Sequence, residues 1–144
     1  MSLRTRLTLY YTSLVGGILL LFGAAVYGSV SLTITRQIDS LLSRTAERLI
    51  SSTRVDSFGQ LQIIPLSMLD LSAEVYVQVW GRNDSQIDAS PNASWFVKEL
   101  DPVGMQSMLP VYREVSAGKN RLRVLTVPLL AGSRQVGALQ IGAS

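Results

Sequence analysis

The chain has no cysteine and no histidine among its 144 residues, which excludes disulfides, thiolate or imidazole metal sites, and the commonest general base. The serines therefore have no imidazole partner, and no GxSxG spacing occurs. Asp84 and Asp88 stand four apart around a turn, with no further carboxylates to build a calcium site. No nucleophile–base set emerges, so neither catalysis, nor a cofactor, nor a metal is expected of this chain. Clustered positive charge is missing as well. The net charge of +3 includes Arg4 and Arg6, and beyond them eleven basic residues face ten acidic ones. A nucleic-acid binder needs a basic face to neutralise phosphates, so that class is set aside.

The longest absence is of charge itself. Positions 7–35 hold 29 residues without Asp, Glu, Lys or Arg, and LVGGILLLFGAAVY at 14–27 is apolar throughout. A bilayer core takes about 20 predominantly apolar residues as a helix, the state that satisfies every backbone group in lipid. Arg4 and Arg6 flank the run. Tyr10, Tyr11 and Tyr27 bracket it, where amphipathic rings suit the headgroup level. The expected organisation is a cytoplasmic N-terminus at 1–6, a transmembrane helix at 7–32, a helix continuing outside at 33–52, and a folded domain at 53–144.

Two other readings of the apolar run compete with the anchor. A buried core helix fits less well, because globular helices seldom go so long without charge. A cleavable signal peptide would place Gly23 and Ala25 at the −3 and −1 positions of a cut, but its apolar region is usually about 7–15 residues. Charge does not settle orientation, since Arg36, Arg44 and Arg48 on the far flank offset Arg4 and Arg6. Long domains translocate largely regardless of charge, which favours an inner-membrane anchor with the N-terminus inside and the bulk extracytoplasmic.

Past the span, Ile34, Ile38, Leu41, Leu42, Thr45, Ala46 and Leu49 recur at three- and four-residue steps, one stripe of an amphipathic helix. No proline precedes Pro65, and no glycine lies between Gly28 and position 59, so one near-continuous helix from about residue 5 to about residue 52 is expected. The stripe has two uses. It packs on the domain's own sheet, or it forms the seam of a parallel homodimer through Ile34, Ile38, Leu41 and Leu49.

Residues 51–72 read as a loop with one short helical turn. The hydrophobic period then changes to two. In AEVYVQVWG, Val75, Val77 and Val79 face one way while Tyr76, Gln78 and Trp80 face the other. A turn at 81–84 leads to a returning strand at 86–89. Asp101 and Pro102 suit the N-cap and first position of a short helix within 94–109. Strands at 111–115, 121–130 and 135–141 follow, the last two forming a hairpin around Ala131-Gly132-Ser133, with Pro128 at an edge or a bulge. The sum is an α+β domain with about five antiparallel strands. Tyr76, Gln78 and Trp80, with Arg123 or Arg121 nearby, form the candidate ligand pocket, a mixed aromatic and polar set suited to a small molecule. The same side chains also serve as ordinary core and sheet-surface residues.

Four stretches together resemble the N-terminal region of bacterial two-component sensor histidine kinases with a PAS-like extracytoplasmic sensor domain. SLRTRLTLYYTSL resembles the Arg-flanked lead into the first span, and VYVQVWGRNDSQIDASPN the first hairpin of the sensor. LDPVGMQSMLP is similar to the short helix before the central strands, and RLRVLTVPLLAGSRQVGALQIGAS to the closing hairpin. The resemblance implies a PAS-like fold that holds ligands against one sheet face, a small-molecule or protein stimulus, a second span after residue 144, and a kinase in the remainder of a longer protein. The phosphoacceptor histidine and the ATP-binding motifs of that family are not in these 144 residues. The rival expectation is a single-span scaffold or accessory subunit of a membrane complex. Signal cleavage would instead give a secreted binding module.

Overall fold

The computed structural model describes residues 2–58 and 60–144. They divide into two compact units, Met1–Gln37 and Ile38–Ser144. Helix α1 (Leu3–Ser52) supplies all of the first unit's described structure beyond its start, and its residues 38–52 belong to the second. Among the described residues seven strands follow: β1 (Arg54–Val55), β2 (Leu61–Gln62), β3 (Val75–Gly81), β4 (Gln86–Ala89), β5 (Val111–Ala117), β6 (Asn120–Ala131) and β7 (Arg134–Ala143).

In the first unit the side chains of α1 stand almost wholly exposed. An 18-residue window reaches a mean hydropathy of 1.9 with none of it buried, so the helix is long and apolar enough to cross a membrane. Its hydroxyls turn inward on the helix itself. Thr8 donates to the Arg4 carbonyl, Thr12 to Thr8, Ser29 to Ala25, Thr33 to Ser29 and Thr35 to Ser31. Each bond to the preceding turn satisfies a donor without water, as polar groups in an apolar medium require. Arg4, Arg6, Tyr10, Tyr11 and Tyr27, expected to flank a membrane, all lie exposed on this helix.

The second unit is a five-stranded antiparallel sheet in the order β4-β3-β7-β6-β5, with β1 and β2 as a separate small hairpin. The alternation read from AEVYVQVWG sorts the sheet into two faces. On one, Val77, Ile141 and Leu125 share a register row, and Val79, Leu139 and Val127 share another. Leu42, Ala46 and Leu49 of α1 join this face, with Ile38 packed at the margin, so the helical stripe is the wall of the domain's core. Leu66, in a 3-10 turn at Leu66–Met68, is buried in the same cluster, its amide held by the Asp88 carboxylate at 2.9 Å.

Several sequence expectations are corrected. The loop at 51–72 contains the β1–β2 hairpin, too short for any periodic signal to register. The helix expected after Asp101-Pro102 is only a 3-10 turn, Gly104–Gln106. Its N-cap is Val103, while Asp101 is buried and turned toward the sheet, so tertiary contacts override a good local start signal. The stripe also divides. Leu49 and Ile38 are taken by the domain's own core, Leu41 is 45% exposed and Ile34 52%, so the four do not make one free seam. Pro128 is placed as expected: it sits beyond the last β5 pairing at Thr126, on an unpaired edge where the missing N–H costs no ladder bond on that side.

Leu42 is fully buried and its neighbour Leu41 is not. Leu42→Ala is expected to destabilise the domain by about 2–5 kcal/mol and Leu41→Ala by less than about 1 kcal/mol. Urea denaturation of the full chain in detergent, followed by tryptophan fluorescence, checks both.

Candidate functional site

The face of the sheet opposite α1 carries Tyr76, Gln78 and Trp80 on β3, Gln140 on β7 and Thr126 on β6. Gln78, Gln140 and Thr126 lie in one register row across the three central strands. Residues 90–110 form a roof over it. Gln78 Nε2 donates to the Phe96 and Lys98 carbonyls at 3.3 and 3.2 Å, and its Oε1 accepts from the Leu100 amide and from Trp80 Nε1. Gln140 Oε1 accepts from the Leu100 amide at 2.9 Å and its Nε2 donates to the Asp101 carbonyl at 2.8 Å. Two side-chain amides thus supply the partners that the roof's irregular backbone would otherwise lack beneath the surface.

Beside them the Asp101 carboxylate, buried at 2% exposure, meets Arg113 Nε at 3.5 Å and lies at the outer limit of a hydrogen bond from Thr126 Oγ1. Gly104 lets the roof pass over this carboxylate. A Cβ there would collide with Asp101 Oδ2 and stand 2.8 Å from Thr126 Oγ1. The margin is apolar: Leu100, Leu122 and Val124 form a second cluster with Tyr76 and Phe96 against it. The start of the roof is tied by Asn92, whose Nδ2 donates to the Ala73 and Val75 carbonyls, and by Ser90 Oγ, which accepts from the Val77 amide.

The structure therefore brings Tyr76, Gln78 and Trp80 together and leaves Arg123 out. Arg123 shares its register row with Val75 and Ala143 on the opposite face, because its parity along β6 is that of Leu125. There it makes a two-point ion pair with Asp39 of α1, Nε to Oδ1 at 3.0 Å and Nη2 to Oδ2 at 3.3 Å, and lies 5.8 Å from the Tyr112 ring centre. The hydrogen-bonded Asp39 carboxylate raises the Arg123 pKa above its ordinary value despite the opposing effect of burial, so the guanidinium stays charged. Arg121 has the same strand parity as Arg123 and is exposed.

Gln140, Asp101 and Arg113 are site residues that the sequence reading did not single out for this face. One signal was available: Gln78 and Gln140 are the polar interruptions in VYVQVWG and VGALQIG, and a lone uncharged polar residue in a buried strand needs buried partners. Chemically this set can bind and orient but offers no activated nucleophile. Ser116 and Lys119 stand at SxxK spacing, yet they flank an exposed hairpin turn at Gly118 instead of sharing a helix turn. Among the described residues no cluster of acidic side chains could hold a metal ion.

Gln140→Leu removes both tethers at Leu100 and Asp101. The expected loss is about 1–3 kcal/mol of stability, together with faster amide hydrogen exchange at residues 96–101, which urea denaturation and exchange measurements read. Asp39 and Arg123 are expected to show a coupling of about 0.5–1 kcal/mol in a double-mutant cycle, as a partly exposed two-point pair should. Comparison with protein family models, with curated proteins and with solved structures finds no match for this chain.

Proposed function

We propose that this chain is the membrane-anchored, signal-receiving region of a bacterial receptor, with an extracytoplasmic PAS-like domain of the kind that sensor histidine kinases carry. One observation carries this reading. A single helical element, α1, holds an uncharged run with no buried residue and, further on, the wall of the folded domain's core at Leu42, Ala46 and Leu49. A helix shared in that way cannot be indifferent to a rearrangement of the sheet it buries. The Asp39–Arg123 pair adds a second, polar link between that helix and β6.

The roofed sheet face is the reading's stimulus site. The fold supports it in having an irregular segment laid over one face of an antiparallel sheet, as PAS-like sensors do. As folded, the Gln78 side is filled: the buried side-chain polar atoms among the described residues all have partners. A small molecule would have to displace hydrogen bonds from Gln78 or Gln140, which defines two states, roof closed and roof lifted, with different ligand affinity. A protein stimulus would act on the roof from outside. Two copies would associate through the part of α1 that the core leaves open, around Leu41, beside a groove of about 460 Å³ that Thr45, Arg48, Leu69 and Leu71 also line. The same closed face favours a second reading, a single-span accessory subunit with no ligand.

Extraction of cell membranes with alkaline carbonate tests the anchor, and the chain is expected to stay in the pellet. The open reading frame separates the two readings. Continuation into another apolar span and a kinase is expected, whereas a stop codon directly after residue 144 would sink the sensor and leave the accessory subunit. With no native cysteine, a Leu41→Cys variant is expected to crosslink between copies and Ile38→Cys, packed on its own sheet, to do so far less. Equal or absent crosslinking at both would count against the homodimer.

A further inference from the structure

One end of the sheet carries an aromatic patch that the folded domain does not cover. Trp95 is 65% exposed and stacks on Phe96 with ring centres 3.8 Å apart, and Phe96 meets Tyr76 edge-on at 5.8 Å. Val97 beside it is 86% exposed. Residues 95–100 and the β5–β6 hairpin at 115–118 enclose an open, mainly apolar groove of about 490 Å³. Lys98 lines this groove, Lys119 stands beside Gly118 at the tip of the hairpin, and Arg121 lies at the same end on the sheet's other face; all three are exposed, and none is in an ion pair among the described residues. Glu99 is the acid that lines the groove. A rigidly backed tryptophan with an apolar neighbour and a cationic rim is the side-chain set that the headgroup layer of a bilayer accommodates.

Covalent connection says which surface is in reach. Val75, Ala143, Arg123 and Glu114 share one register row at this end of the sheet, and Asp39 is bound to Arg123 on it. The hairpin continues past that row to its tip at Gly118 and Lys119, four residues or about 13 Å further. Asp39 is the seventh residue after Leu32, the last of the expected span. Seven residues cover about 10 Å if helical and no more than about 25 Å if extended. A headgroup layer on either side of the hydrocarbon core takes up several more ångströms.

We propose that this end, with Trp95, Phe96 and Val97 as the inserted group and Lys98, Lys119 and Arg121 as its cationic rim, docks on the anionic surface of the membrane that anchors the chain. The inference rests on the anchored reading of residues 7–32. Docking holds the roof's first segment, which Gln78 grips through the Phe96 and Lys98 carbonyls, against lipid. The surface state of the membrane is then felt at the same strands that bury α1.

The test uses the full chain reconstituted in vesicles of phosphatidylcholine with or without phosphatidylglycerol, containing brominated phosphatidylcholine as a contact quencher. The chain's two tryptophans are separated by measuring Trp95→Phe alongside the native protein, which leaves only the buried Trp80. The expected result is quenching that Trp95→Phe abolishes, that grows with phosphatidylglycerol, and that Lys119→Gln weakens about fivefold in its lipid dependence. Flotation with the vesicles but no quenching at Trp95 would overturn the docking and leave the anchor standing. Failure to float with vesicles at all would overturn both. A Val97→Cys variant that crosslinks between copies regardless of lipid would assign the patch to a second copy of the chain and equally overturn the proposal.

Discussion

Val77, Val79, Leu139 and Ile141 on one face of the sheet's centre and Gln78, Trp80, Thr126 and Gln140 on the other are all buried, so both faces are covered. The two faces solve this differently. Against α1 the cover is a preformed helix with its own hydrogen bonds complete, and the contact can be purely apolar: Val77, Val79, Leu139 and Ile141 against Leu42, Ala46 and Leu49. Over the other face lies an irregular segment whose amides and carbonyls have no ladder of their own. It is bearable there only because Gln78 and Gln140 rise from the sheet to meet it. Roof and polar row are one device, since a buried side-chain amide costs free energy unless it finds such partners.

The difference in cover implies a difference in mobility. Displacing α1 from the sheet exposes large apolar side chains, at about 25 cal/mol for each Å². Lifting the roof exchanges a handful of neutral hydrogen bonds for bonds to water or to a ligand, each worth about 0.5–1.5 kcal/mol net. The roof is therefore the face at which a modest binding energy can select a second state, and the helix is the face that such a state would have to act through. The proposed sensor depends on this asymmetry, not on any reactive group. The Asp39–Arg123 pair sharpens it by holding the start of the packed part of α1 to a definite place on β6.

Much of this was legible in the sequence. The uncharged positions 7–35 follow from a run of apolar composition, and the period-four stripe and the period-two strands from burial at a fixed spacing. The strands at 75–81, 86–89 and 120–143 fall where their alternation and turn residues place them, and the shared face of Tyr76, Gln78 and Trp80 follows from parity alone. Arg123 was misplaced for the same reason. Parity within one strand is readable, but which face of β6 matches which face of β3 depends on register, and a shift of one residue exchanges the two.

What the sequence determined by itself is local and periodic: a long apolar helix, an α+β domain, and two alternating faces along each strand. Only the tertiary structure decided what no spacing encodes. It set the β4-β3-β7-β6-β5 order, placed Gln140 beside Gln78, and turned Asp101 from a helix cap into a buried partner of Arg113. It also gave Leu49 to the domain's own core while leaving Leu41 outside. The physical reason is common to all of these. A hydrogen bond or an apolar contact between residues 40 or 80 positions apart is chosen by the register and packing of whole elements, and neither partner carries a mark of the other in its own neighbourhood.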